Sequence, residues 1–451
     1  MSAIKNDTIC ALATARMNCA IHLIRLSGAD AYAIINKITD KKVEKASFKI
    51  VRRFIVDKNQ NKVDDVLLNC FENPKSYTGE DLIEINCHGG VYLADKILNL
   101  LIKNGARMAE PGEFSHRALL NNKIDVTQVE AINNLVFAKN DFALKGAIDA
   151  LSGNVSEALK IFRKELFNVL GQIIVNIDYP EFDDVPQLTD SDVLNILKTL
   201  NQDIKTLIKE SKKFIPLSEG IKIALIGEPN VGKSSLMNCL INDDKAIVSD
   251  IPGTTRDIVE STINIDGLTL KFFDTAGLRE SSDLVENIGI NKAKELLNKV
   301  DLILWLSDSQ KQNKDEQEIQ EIIKDKNYIK VFTKKDLLKN NIELKDNEVL
   351  VSSKNKDINS LIEKIKSKFY TNDFNLNSEL QVLQSQRQIN ILEYVQNLIE
   401  QSINDLESNY ATLDLIAANL ETADREINKL LGKTNDYDFL DDLFLNFCLG
   451  K

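Results

Sequence analysis

Residues Gly227 to Ser234 read Gly-Glu-Pro-Asn-Val-Gly-Lys-Ser, between an apolar run at 221–226 and a segment with helical spacing. Glycines at the two ends of the turn let the main chain wrap closely around phosphate oxygens, with N–H groups and the N-terminus of the next helix as donors. In this arrangement Lys233 brings charge to the β- and γ-phosphates, and Ser234 offers a hydroxyl to Mg²⁺. Asn230, Val231, Gly232 and Ser235 complete the cradle. The chemistry is phosphate binding with phosphoryl transfer as the expected reaction. A chance glycine-rich turn would not need a strand before it and a helix after it.

Two further segments have the order such a site requires. Gly253-Thr254-Thr255-Arg256-Asp257 offers hydroxyls for a first switch, with Thr255 as second hydroxyl ligand of Mg²⁺. Asp274-Thr275-Ala276-Gly277 follows the apolar run 270–273 and places a carboxylate near Mg²⁺ and a glycine where a γ-phosphate is sensed. Base selection is expected later, at Thr333-Lys334-Lys335-Asp336 and at Ser352-Ser353-Lys354. Asp336 can accept the two donors on the N1 and N2 edge of guanine. Adenine lacks that pair and would leave a carboxylate unsatisfied, so the expected ligands are GTP and Mg²⁺.

The elements that must hold these residues follow from periodicity. Between 221 and about 370, the apolar runs 270–273, 302–306, 329–332 and 349–351 alternate with helix-like segments, which predicts a mostly parallel sheet flanked by helices. Upstream, the β-like runs 19–26 and 81–86 and a helix-like 93–103 predict an α+β domain. From 125 to 177 and from 191 to 213 the spacing is helical, with Pro216 and Gly220 expected to end the second stretch. Helical patterns return at 389–406 and 412–431. The reading is a multidomain chain: 1–118 an N-terminal α+β domain, 119–218 and 373–451 two parts of one α-helical bundle domain, and 219–372 an inserted α/β P-loop domain.

Composition bounds the rest. The 451 residues suggest roughly three domains, and 43% hydrophobic with 27% charged residues is a water-soluble mix. With 68 acidic against 56 basic residues the net charge is −12, so any nucleic acid must meet a local basic patch or be shared with a partner. The N-terminus lacks a cationic start followed by an apolar run, and no apolar stretch approaches the ~20 residues that span a bilayer, so a cytosolic location without membrane contact is expected. The six cysteines and three histidines (His22, His88, His116) show no paired ligand spacing; most cysteines read as small buried apolar residues.

With these residues assembled, the α/β module resembles the translation-factor-like GTPases, whose base motif is Asn-Lys-x-Asp; Thr333 stands where the asparagine would be. PKSYTGEDLIEINCHGG (74–90), PGEFSHRALLNNKIDVTQVEA (111–131) and the terminal FCLGK (447–451) are similar to the MnmE (TrmE) family of tRNA-modifying GTPases, within the TrmE-Era-EngA-like group, over essentially the whole chain. The resemblance implies an N-terminal domain that dimerises and binds 5-formyltetrahydrofolate or a related folate at Arg25, Glu84, Lys123 and Lys451. It implies a homodimer, the flavoprotein MnmG as partner in a heterotetramer, and tRNA as substrate. An aminomethyl-type group, such as carboxymethylaminomethyl, would be installed at carbon 5 of the wobble uridine. In the GTPase module it assigns K⁺ to Asn230, with Ser249, Ile251 and Thr254, in place of an arginine finger. Glu286 becomes the residue that orients the attacking water, acting with Lys233 and Thr255. Cys448 resembles a nucleophile, although a lone cysteine without a paired base is usually inert. The sequence departs from the family at Ala15-Arg16-Met17-Asn18, Arg387-Gln388 and Asn419-Leu420. The competing expectation is a regulatory GTP switch or folate-binding scaffold without modifying activity.

Overall fold

The computed structural model describes residues 7–178, 190–228, 230–241, 247–248, 259–265, 267–273, 297–309, 316–324, 326–338, 343–369, 379–408, 412–432, 447 and 450. They form two compact units, one from Met1–Asn133 with Glu421–Lys451 and the other from Asn134–Leu420.

In the first unit, strands β1 (Ile9–Leu12), β2 (Ile21–Ser27), β3 (Lys49–Val56), β4 (Lys62–Phe71), β5 (Leu82–His88) and β6 (Arg107–Met108) form one sheet in the order β3-β4-β5-β2-β1-β6. All pairings are antiparallel except β1 with β6. Side chains alternate across a strand, so Ile24 and Leu26 on β2, Leu68 on β4 and Ile83 and Ile85 on β5 face one core. Helices α1 (Ala31–Lys37) and α2 (Val91–Lys103) cover it with Ile34, Ile35, Ile97 and Leu101. The opposite parity places Arg25 across from Glu84 and Glu84 across from Asn69, in a row over three strands. The strand expected at 19–26 begins at Ile21 because the two preceding residues are tied to Gly89: Cys19 N donates to Gly89 O (2.9 Å), and Gly89 N donates to Ala20 O (3.2 Å).

Helix α3 (Glu113–Leu120) carries Arg117, which is 2% exposed and sits in an ion network. Its guanidinium donates to Asp7 Oδ1 (2.8 Å), Glu113 Oε1 (3.0 Å) and Glu80 Oε1 (3.1 Å), while Arg107 bonds Asp7 Oδ2 (2.8 Å) and Glu113 Oε1 (2.7 Å). Three carboxylates around two guanidiniums satisfy charges that burial would otherwise make costly.

Helices α4 (Val126–Val136) and α12 (Leu413–Leu430) carry the chain between the units. Within the second unit, α5 (Asp141–Leu151), α6 (Asn154–Asp178), α7 (Asp190–Glu219) and α11 (Gln386–Ser408) are helical. Ion pairs Lys198–Glu407 (2.5 Å) and Lys212–Glu393 join α7 and α11 in opposite sequence order, so the two run antiparallel. The helices before and after the α/β module in sequence, α7 and α11, thus pack together within the second unit, while 119–133 and 421–451, expected in the same helical domain, belong to the first. One expectation fails: α7 does not end at Pro216 but runs through it to Glu219. Proline costs most where its missing N–H is needed. Here the helix needs only one more turn, Pro216 O accepts Gly220 N (3.1 Å), and Gly220 ends it at φ +102.

The α/β module contains β7 (Ile221–Gly227), α8 (Lys233–Ile241), β8 (Ile247–Val248), β9 (Val259–Ile265), β10 (Leu268–Phe273), β11 (Leu302–Asp308), α9 (Glu316–Ile323), β12 (Tyr328–Thr333), β13 (Glu348–Leu350) and α10 (Asn359–Phe369). The sheet order is β13-β12-β11-β7-β10-β9-β8, parallel from β13 to β10 and antiparallel beyond. Every residue of β11 is buried, as a central parallel strand covered on both faces requires.

The Arg117 network makes the first unit acid-sensitive. Hydrogen bonding from Arg107 first, then Arg117, holds the Asp7 carboxyl below its ordinary value. Burial alone would raise Glu113, but the Arg107, Glu110 and Arg117 bonds more than reverse it, leaving its pKa lowered as well. The folded state therefore binds fewer protons than the unfolded one in acid. This stabilisation is complete above the ordinary values of 3.8 and 4.5 and is lost as pH falls below them. Urea unfolding of Glu113→Gln between neutral pH and pH ~3 should show a shallower loss of stability than the parent chain; equal slopes would remove Glu113 from this role.

Candidate functional site

The centre of the α/β sheet builds the phosphate-binding turn. β7 pairs in parallel with β11, Gly227 standing opposite Leu306. At φ +153, a Cβ on Gly227 would lie 2.5 Å from Leu306 O, closer than packed atoms come, so only glycine lets the chain leave the sheet here. The turn continues through Asn230 at φ +62, a conformation asparagine tolerates, and Gly232 at φ +106 before α8 starts at Lys233. Lys233 Nζ reaches back over the turn to within 2.8 Å of Gly227 O. Ser234 and Ser235 are exposed in the first helical turn, where unpaired backbone N–H groups favour an anion. Val231 is buried beneath.

Thr333, at the end of β12, is 3% exposed, and its hydroxyl donates to Val231 O at 2.7 Å, with Ser307 O at 3.3 Å. This bond fastens the end of β12 to the turn between β7 and α8. The next residue, Lys334, has φ +61 and pairs through Nζ with Asp308 Oδ2 at 2.6 Å. Lys335 N then donates to Val351 O (3.1 Å), bringing Asp336 beside Ser352, whose hydroxyl donates to Asp336 Oδ1 at 2.7 Å. One carboxylate oxygen is thereby oriented, while Asp336 remains exposed and keeps acceptor capacity for a guanine edge. Ser353 and Lys354 follow in the turn closed by the Ser352–Asp357 bridge. Residues 227–228, 230–235, 333–336 and 352–354 thus come together around one end of the parallel strands, where ligands bind in open α/β sheets. Ser249, Ile251, Thr254, Thr255, Asp274, Thr275, Ala276, Gly277 and Glu286 lie outside the described residues. β10 brings the chain as far as Phe273, opposite Ala224 of β7.

Sequence reasoning missed Asp308, the partner of Lys334. Its signal was present: Ser307-Asp308 puts two polar residues at the end of an otherwise apolar strand.

A second cluster occupies the outer face of the first unit's sheet. Arg25 Nε donates to Glu84 Oε1 (3.0 Å), and Arg25 Nη1 donates to Gly450 O (2.9 Å). Asn69 Nδ2 lies 3.4 Å from Glu84 Oε2, and the Tyr77 ring lies 5.6 Å from the Arg25 guanidinium carbon. Lys123 is not joined to this pair; its Nζ donates to Pro74 O (2.9 Å) at the start of the loop that carries Tyr77. Lys451 and Cys448 lie outside the described residues. Asn69 had no motif to mark it and is brought in by strand register; Tyr77 and Gly450 stand inside the segments 74–90 and 447–451 but were not singled out there.

The described cysteines other than exposed Cys19 are buried, and burial pushes the thiols of Cys10 up to about 12 and Cys87 up to about 11, far from nucleophilic. Among the described residues no three His, Cys, Asp or Glu side chains converge as metal ligands, and no helix is long and apolar enough to cross a membrane.

Comparison with known proteins takes in nearly the whole chain. Residues 8–123 match the family model of the GTP-binding protein TrmE N-terminus, and residues 126–448 match that of the MnmE helical domain. The tRNA modification GTPase MnmE of Ureaplasma parvum is 53% identical over 445 residues, covering 99% of this chain and 100% of that protein. The tRNA modification GTPase MnmE of Mycoplasma mycoides is 43% identical over 453 residues, covering 99% of each. Among solved structures, the G domain of the T. maritima FeoB iron transporter is 27% identical and covers 34% of this chain and 99% of that chain, with a TM-score of 0.24. The relatives match the flanking domains as well as the nucleotide module, and the chain belongs to the MnmE (TrmE) family of tRNA modification GTPases.

Proposed function

We propose that this chain binds GTP with Mg²⁺, hydrolyses it, and uses the cycle to drive modification of tRNA at carbon 5 of the wobble uridine. The observation that supports the reading is the bond from Thr333 to Val231 O, which ties the turn proposed to hold phosphate to the segment whose Asp336 carboxylate is proposed to read guanine. Full-length identity to tRNA modification GTPases supports the tRNA end of the proposal.

The chain's own groups suit the reaction. Gly227 and Gly232 present no side chain to a phosphate, and Lys233 can supply charge to the β/γ-oxygens. Ser234 is the hydroxyl for Mg²⁺, with Thr255 as its second hydroxyl ligand and Asp274 nearby in the sequence order the site requires. Asn230, exposed and held at φ +62, has an amide oxygen suited to K⁺, with Ser249, Ile251 and Thr254 as the other ligands. K⁺ held there would supply positive charge to offset what develops on the phosphates. Glu286 orients the attacking water, and hydrolysis follows when the GTPase modules of a homodimer meet.

The sheet face of the first unit is proposed to take a formyltetrahydrofolate-type donor. The residues fit in kind: Glu84 retains acceptor capacity for the pterin amino edge, while Arg25 and Lys123 can neutralise a glutamate tail, with Lys451 following Gly450. The flavoprotein MnmG is the proposed partner in carboxymethylaminomethyl synthesis.

Three measurements test this reading. Asp336→Asn places an amide N–H₂ against the donors of guanine, so GDP binding by titration calorimetry should weaken by roughly 10²-fold or more; unchanged affinity would show that Asp336 does not read the base. GTP turnover should be much faster in K⁺ than in Na⁺ at equal ionic strength, and equal rates would sink the Asn230 assignment. Mass spectrometry of tRNA from cells lacking the protein should show loss of the modified wobble uridine, whereas an unchanged nucleoside profile favours the switch or scaffold reading.

A further inference from the structure

A chain with a net charge of −12 needs a local reversal of sign wherever a polyanion is to meet it. Residues 37–62 supply one, with nine Lys and Arg against three Asp and Glu. They run from the end of α1 through β3 and the turn into β4, all within the first unit, and β3 is the outermost strand of its sheet. With a Debye length of ~8 Å in physiological salt, such a strip sets the field at its own surface.

The strip is held mainly by main-chain bonds. Asp40 N donates to Phe54 O (3.0 Å) and Val56 N donates to Ile38 O (2.8 Å), so the segment after α1 lies along β3. Arg53 bridges the two, donating from Nε to Lys41 O (3.3 Å) and from Nη2 to Lys42 O (3.0 Å); bonded to neutral carbonyls, it keeps its charge. Asn36 clamps the same segment, donating to Val43 O (3.0 Å) and accepting Val43 N (2.6 Å). Lys41, Lys42 and Lys49 are exposed and, among the described residues, make no side-chain hydrogen bond or ion pair. Arg52 is paired with Asp65, and Lys45 with Asp81 (2.6 Å), Glu72 lying near Lys45 as well. Of the three acids in the segment, Asp40 accepts Phe54 N (3.0 Å) and Asp57 accepts Asn59 N (2.8 Å) and Asn61 N (2.9 Å), which leaves Glu44 as the one without such a bond among the described residues. Lysines on an edge strand ordinarily keep a second strand away. That does not account for Lys41 and Lys42, because their own segment already covers β3 from Phe54 to Val56.

Phe48 stands in the same strip and is unusual on two counts. It is 74% exposed, and its φ of +58 is one that a bulky side chain avoids. Its ring meets Phe71 edge to face, with centroids 5.7 Å apart. Lys49 follows it directly, and Ile50 then stands opposite Asn69, which extends the row through Glu84 to Arg25 onto β3. An exposed ring among unpaired cations is the combination that holds single-stranded RNA: bases stack on the ring while phosphates take the cations.

We propose that residues 41–53 form a surface on which tRNA lies, with Lys41, Lys42, Lys49 and Arg53 at its phosphates and Phe48 stacked on an unpaired base. This rests on the tRNA reading above and adds where the RNA meets the chain, on the sheet edge next to the face assigned to the one-carbon donor. A wobble nucleotide belongs to an unpaired loop, and a stacking ring serves such a loop better than it serves a duplex.

The test is binding of unmodified tRNA to the full chain by fluorescence anisotropy over a series of KCl concentrations. Replacing Lys41, Lys42 and Lys49 together by Gln, at three exposed positions with little bearing on folding, should weaken binding about tenfold or more and lower the slope of log K against log salt by about two. Phe48→Leu should weaken binding by about fivefold or more with the slope unchanged, as loss of a stacked base requires. Lys205→Gln with Lys209→Gln, at exposed positions on α7, should bind as the parent does. Equal affinity and slope in the parent and the triple variant would overturn the surface while leaving the tRNA reading standing. A parent chain that binds no tRNA would overturn both. A triple variant that binds tRNA normally but shifts the monomer–dimer balance in sedimentation would overturn the proposal by assigning the strip to a contact between copies.

Discussion

The nucleotide end of the molecule depends on one close backbone approach, Gly227 against the carbonyl of Leu306. β7 and β11 are hydrogen-bonded neighbours in the middle of the sheet, and the phosphate turn must leave that sheet within a single residue. A side chain there would meet a backbone oxygen at 2.5 Å, and the strands cannot part to relieve it without losing their ladder. Because the approach holds, the chain arrives at Val231 with its carbonyl turned toward β12 and at Lys233 with its ammonium over the turn. The anchoring of Thr333 and the reach of Lys233 are both consequences of a missing Cβ.

Thr333 then shows how a substitution in a motif is absorbed. A hydroxyl has one proton where an amide has two, and it can make one strong donated bond. It makes that bond to Val231 O. The rest of the segment 333–336 is held by separate contacts: Lys334 to Asp308, the Lys335 amide to Val351 O, and Ser352 to Asp336. Each is worth of order 1 kcal/mol net, more where charge assists. The orientation of Asp336 is therefore set by its neighbour across the strand ends, and it does not rest on residue 333 alone.

How much of this was legible depended on whether a feature is local. The apolar runs 302–306 and 221–226, which lie within β11 and β7, and the turn after the second announce themselves in a few consecutive residues, because burial on both faces and close anion approach each restrict residue type. The joining of α7 to α11 was legible only as two helical patterns seeking a partner; their ion pairs are about two hundred residues apart in sequence, and no spacing rule reaches that far. Pro216 misled because a breaker is judged without knowing how many N–H bonds its helix still needs. Arg117 was invisible as a core residue: on a short helix a charged side chain reads as solvated, and only the arrival of Asp7 and Glu80 from elsewhere makes its burial tolerable.

That last point governs the first unit's open face. Arg117 and Arg107 hold Asp7, Glu80 and Glu113, and Glu80 in turn accepts the Ser27 hydroxyl (2.8 Å) at the end of β2. The loop 74–80 is consequently pinned at one end by the ion network, with Asn121 Nδ2 bonded to Thr78 O (2.7 Å) and Lys123 to Pro74 O along its length. Tyr77 leaves this loop toward Arg25, which also holds Gly450, 425 residues away. Gly450 itself has φ +91, and a Cβ would fall 2.7 Å from Ala13 Cα, so the C-terminus can lie against β1 only because it is glycine there. A buried charge network and a second missing Cβ thus do for this face what Gly227 does for the other site. They bring backbone close enough that a few polar side chains converge on one place.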